Sequence, residues 1–114
     1  MKVKHLGDVK EEIVAKANST KTTVRWLITK DDGAKGFATR RFEIQPGGQV
    51  GLHDHAEDHQ IYVLQGKSQL IDEKGNKVEL KKGDAIYIPP NEKHGFQNNG
   101  DEPFMFICVI PYLE

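Results

Sequence analysis

Gly51-Leu52-His53-Asp54-His55-Ala56-Glu57-Asp58-His59-Gln60-Ile61-Tyr62-Val63-Leu64-Gln65-Gly66 is the stretch whose reading decides the fold. Its first half gathers three histidines around a short acidic turn, and its second half is a run of β-formers stopped by glycine. Side chains two apart on a strand share a face, so His53 and His55 can offer two imidazoles to one point. His59 opens the next strand and folds back toward that pair if the two strands are neighbours. A second stretch, Pro89-Pro90-Asn91-Glu92-Lys93-His94-Gly95-Phe96, supplies His94 from further along the chain. His94 must therefore reach the same point from a different strand. His5 stands alone and is read as an ordinary histidine.

Outward from these motifs the texture stays the same. Eleven glycines and five prolines punctuate short stretches rich in Val, Ile, Phe, Tyr and Thr, the pattern of many strands joined by turns. Strands are expected over 23–29, 37–44, 49–53, 59–64, 68–72, 77–80, 85–88, 95–98 and 104–110. Turn residues at 31–33, 45–48, 73–76, 89–91 and 98–101 mark the breaks. Only 11–18 reads as a helical turn or two, and a strand around 3–9 is expected to cover a partner's sheet edge. The fold class expected is all-β, a sandwich or barrel, with 1–114 forming one domain.

Composition removes several functions. Sixteen Lys and Arg against seventeen Asp and Glu leave a formal charge of -1, with no basic block to attract nucleic acid or an anionic membrane. The apolar runs are too short to span a bilayer, and the N-terminus lacks the apolar core of a signal peptide. A lone cysteine, Cys108, cannot form an intrachain disulfide, which suits a reducing, cytoplasmic location. The expected partner is a small molecule.

Residues 51–66 resemble the first motif of the cupin superfamily, and Gly83-Asp84-Ala85-Ile86-Tyr87-Ile88-Pro89-Pro90-Asn91-Glu92-Lys93-His94-Gly95-Phe96-Gln97-Asn98 resembles the second. The resemblance implies a double-stranded β-helix, or jelly-roll, barrel. Two positions depart from the pattern. Gln60 stands where many cupins carry a ligating Glu, and a neutral amide binds transition metals poorly, so His59 is expected to replace the carboxylate. Glu92 occupies the place of a glycine two residues before the last histidine. The chain thus resembles small single-domain cupins with a four-histidine metal site, and His53, His55, His59 and His94 are the implied ligands.

One divalent transition metal ion is expected there, Fe, Mn, Ni, Cu or Zn, imidazole suiting most of these and cupins often holding Mn. Strand parity puts Arg40, Phe42 and Ile44 on one face and Phe106, Cys108 and Ile110 on another. By the resemblance, Arg40, Phe42, Phe96 and Cys108 line the substrate cavity, an apolar pocket with one anion anchor. Gln60, Tyr62 and Asp54 are candidates to hydrogen-bond the imidazoles, a task backbone carbonyls can also perform. Four neutral ligands leave the ion its full charge, and an octahedral ion would keep two positions for dioxygen or a chelating substrate. A dioxygenase-like oxidoreductase acting on a small, partly apolar substrate is therefore the leading expectation, in a homodimer. A metal-dependent sugar or keto-acid isomerase or lyase, or a non-catalytic binding module, are the alternatives.

Overall fold

The structure, a computed structural model, describes residues 1–113. Nine strands follow in chain order: β1 (Glu11–Ile13), β2 (Thr20–Ile28), β3 (Phe37–His53), β4 (His59–Gln65), β5 (Lys67–Asp72), β6 (Lys77–Lys81), β7 (Ala85–Ile88), β8 (His94–Gln97) and β9 (Phe104–Pro111). They form one antiparallel sheet in the order β6-β5-β8-β3-β9-β4-β7, and β2 joins β3 while carrying β1 outside it. The chain is nearly all β and folds as a double-stranded β-helix barrel, as expected. Among the described residues no helix is long and apolar enough to cross a membrane.

The long strand β3 closes the barrel. Its first part, Phe37 to Ile44, pairs with β9, and its last part, from Gln49, pairs with β8. Residues 45–48, expected as a turn, instead form a corner within the continuing strand, where β3 passes from one leaf to the other. Gly47 takes φ +81 there, a conformation open to glycine and costly for other residues. Asn98 pins the corner: its buried side-chain amide donates to Ile44 O at 2.8 Å, while its backbone bridges Gly47 and Gly48.

Inward side chains from both leaves meet across the interior. Phe96 of β8 stacks on Phe106 of β9 with centroids 5.1 Å apart, and Phe106 stacks on Phe42 at 5.0 Å. Ile44, Val63 and Phe104 are fully buried around them. Burial of such side chains contributes about 2–3 kcal/mol each.

Two expectations at the N-terminal end are corrected. Residues 11–18 form no helix, because Ile13 and Val14 favour extended backbone; β1 and a 3-10 turn, Lys16–Asn18, take their place. The strand expected around 3–9 is likewise absent, and the regular structure there is a 3-10 turn over Leu6–Asp8.

Candidate metal centre

A one-residue bulge aims the first histidine. Val50 pairs with Phe96, yet His53 pairs with His94, so β3 gains one residue over β8 between these pairs. Before the bulge the buried positions are even, Gly48 and Val50; after it Leu52 is exposed and His53 turns inward. Bulges re-aim side chains in this way. Gly51 sits in it, pressed so closely on the 3-10 turn that a Cβ there would fall 1.5 Å from Ala17 O. His55 lies beyond the strand end, in the loop to β4, so loop hydrogen bonds and not strand pleating orient it. One such bond runs from Asn91 N to His55 O, 2.8 Å.

His59 and His94 open β4 and β8. On β4 the side chains of His59, Ile61 and Val63 are buried while Gln60 and Tyr62 face out, the period of two expected of a strand with one face in the core. The neighbouring rings lie close: centroids are 4.5 Å apart for His53–His94, 4.9 Å for His55–His59 and 4.9 Å for His59–His94. The donor atoms of His53, His55 and His94 all lie within 4.8 Å of one another. His59 stands outside that close trio and joins it through His94, Nε2 to Nε2, at 3.2 Å. Two nitrogens at right angles on one ion, each about 2.1 Å from it, would stand about 3 Å apart.

Backbone carbonyls fix three of the four tautomers. His53 Nδ1 donates to Gly51 O, His55 Nδ1 to Glu57 O and His94 Nδ1 to Glu92 O, each at 2.8 Å. A carbonyl can only accept, so each Nδ1 carries the proton and each Nε2 is left with its lone pair. Asp54, Gln60 and Tyr62 make none of these bonds and all three are exposed, so of the two candidates for this task the backbone carbonyls perform it.

His59 differs. Its Nδ1 meets Cys108 Sγ at 3.1 Å, and Arg40 Nη2 donates to the same sulfur at 3.0 Å. With the His94 Nε2 lone pair facing it, His59 Nε2 carries the proton in the metal-free protein and Cys108 S–H donates to Nδ1. Ligation through His59 Nε2 needs the other tautomer, with Nδ1–H donating to sulfur. The sulfur can serve in both directions.

Burial favours the neutral form of His53, His59 and His94. It pushes His59 down to about 3, helped by the neighbouring His94, and His94 down to about 4, against the pull of its bond to Glu92 O. His53 is lowered too, chiefly by burial. Burial also raises the Cys108 thiol. Neutral imidazoles with converging lone pairs are what a divalent transition metal ion binds, so the residues present fit such an ion.

All eight side chains singled out in the sequence line one cavity: the four histidines, Arg40, Phe42, Phe96 and Cys108. Sequence reasoning missed Val14, Val50, Phe106 and Lys16, which complete its wall. Phe106 shares its face with Cys108, so strand parity already contained it. Lys16 had no such signal, because its segment was expected to be helical.

Residues 40–110 match the cupin domain family, and the chain belongs to it. The polyketide cyclase RemF of Streptomyces resistomycificus is 40% identical, with a TM-score of 0.91 over 97% of this chain and 79% of that one. The oxalate-binding protein of Thermotoga maritima is 31% identical over 76% of this chain and 73% of its own length. An uncharacterized protein of Methanocaldococcus jannaschii is 40% identical over 54% of this chain, and the match spans half of that protein. Cupins commonly bind a transition metal, and the histidine cluster lies where the barrel leaves converge.

Proposed function

We propose that the protein is a metal-dependent cupin enzyme that holds one divalent transition metal ion through Nε2 of His53, His55, His59 and His94 and acts on a small, partly apolar carbonyl substrate. The observation that carries this is the set of carbonyl bonds on Nδ1 of His53, His55 and His94, which leaves three lone pairs converging beside His59. A bound ion would supply Lewis-acid polarisation of the substrate oxygen. Phe42, Phe96 and Phe106 exclude water from the reacting group, and Arg40 offers a fixed positive charge beside it. The likeness to a polyketide cyclase favours redox-neutral ring closure on an enolisable substrate.

A second reading, the dioxygenase, is favoured by the all-imidazole donor set and the apolar wall, which suit a reduced metal beside dioxygen. Metal analysis of the purified protein, followed by assays of its Zn²⁺, Mn²⁺ and Fe²⁺ forms on poly-β-ketones and catechols in an oxygen-electrode cell, separates the two. Turnover of the ketone without oxygen uptake is the expected result. Uptake matching turnover would replace it with the dioxygenase, and binding without turnover would leave a small-molecule-binding module, as the similarity to an oxalate-binding protein allows.

The free, buried Cys108 suits a reducing compartment. A homodimer also belongs to this reading: Tyr62 and Tyr87 are more than half exposed on the outer face of β4 and β7, next to Ile107 and Val109 of β9, and apolar patches of this kind mark interfaces. Light scattering at micromolar concentration should give twice the 12.9 kDa chain mass; a monomer would remove the dimer.

A further inference from the structure

Arg40 is a cation without a counter-ion. It points into the barrel from β3 and is 6% exposed. Its guanidinium lies close to two rings, with Cζ 5.2 Å from the centroid of Trp26 and 4.9 Å from that of Phe42. Nη2 is spent on Cys108 Sγ, and the buried Nε has no hydrogen-bond partner. Among the described residues no salt bridge involves Arg40, and no Asp or Glu lines the cavity. A guanidinium stays charged at every accessible pH, and a charge withdrawn from water without an opposite partner is strongly disfavoured. The other polar groups around it are neutral imidazoles and a thiol. Lys16 adds a second cation at the rim, set there by a backbone with φ 54 at Ala17 and 60 at Asn18.

We propose that the substrate enters this pocket as an anion, a carboxylate or an enolate, whose planar oxygens are received by the free edge of Arg40 while Lys16 closes over it from the rim. The proposal rests on the pocket being the substrate site and adds the substrate's charge and shape. Planarity follows from the guanidinium itself, whose N–H groups donate within its own plane, so that one edge meets two coplanar oxygens. The stacked rings of Phe42, Phe106 and Phe96 then face the conjugated or apolar part of the same molecule.

Trp26 is the single tryptophan and stacks on Arg40, so its fluorescence reports the site. Benzoate, its neutral isostere benzamide and inorganic phosphate are titrated into the metal-stripped and the Zn²⁺-loaded protein. Benzoate is expected to bind the metal-stripped form at least about tenfold tighter than benzamide, the scale of one charge-assisted hydrogen bond, and tighter than phosphate. Arg40→Gln should erase the preference, and Lys16→Ala, acting at an exposed position, should weaken benzoate by about threefold. Equal affinity for benzoate and benzamide, or a preference that survives Arg40→Gln, would overturn the proposal; phosphate binding tighter than benzoate would overturn its planar form. Should Arg40→Gln fail to fold, the wild-type comparison of benzoate with benzamide still decides. The zinc-induced thermal shift, read in parallel, reports the metal site separately: its absence with the benzoate preference intact counts against the metal alone and supports the anion site.

Discussion

Acid should unfold the metal-free protein through its histidines. His59 and His94 titrate in the native state at about 3 and about 4, against an ordinary 6.5. The unfolded chain therefore takes up protons that the native site refuses. Stability is full above about pH 6.5 and is lost as the pH falls toward the folded values. At about pH 5 both folded values still lie lower, so each histidine costs about 2 kcal/mol, and the pair about 4 kcal/mol. That is a large share of a domain's total stability, and for a chain of this size it amounts to a fall in Tm of roughly 20 °C. Thermal unfolding of the chelator-treated protein between about pH 7 and about pH 5, followed by circular dichroism, measures it. His59→Ala should remove about half of the pH dependence, since one of the two histidines is gone. An unchanged Tm across this range, or a His59→Ala variant with the full wild-type dependence, would refute the reasoning.

Metal-dependent thermal shift should fall far more in His59→Ala than in Gln60→Ala, because His59 faces the cavity and Gln60 faces solvent; the reverse order would mean that the β4 register is wrong by one residue. Gly51→Ala should destabilise the fold by about 2–3 kcal/mol in urea, since its Cβ meets a backbone oxygen that cannot step aside without lifting the turn bearing Lys16; a loss under about 0.5 kcal/mol would contradict the packing. Cys108, at 1% exposure, should react with a thiol reagent at least about a hundredfold more slowly in the native than in the unfolded protein, and equal rates would contradict its burial.

Much of this architecture was legible in the sequence, because two local signals carry it. Period-two burial along 37–44, 59–64 and 104–110 follows from side-chain alternation alone; β4 and β9 agree with the expected spans to within a residue, while β3 starts as expected and runs on to His53. The histidine pattern named side chains that do line one cavity. Long-range packing decided the rest. Residues 45–48 look like a turn, yet Asn98, just past the end of β8, holds them as a corner of β3. The bulge that turns His53 inward depends on the pairing of β3 with β8, which no local pattern encodes. Lys16 reaches the cavity only because Gly51 leaves room for Ala17 O. The outward Gln60, Tyr62 and Asp54 could not serve the rings, and carbonyls at Gly51, Glu57 and Glu92 serve them instead; carbonyls are present at every position and so leave no mark in a sequence.

X-ray absorption of the protein loaded with one equivalent of Zn²⁺ tests the four-histidine centre most directly. Four imidazole nitrogens at about 2.0–2.1 Å are predicted, falling to three in His59→Ala. A shell with three or fewer imidazoles in the wild type, or one unchanged by His59→Ala, would contradict the centre proposed for this chain.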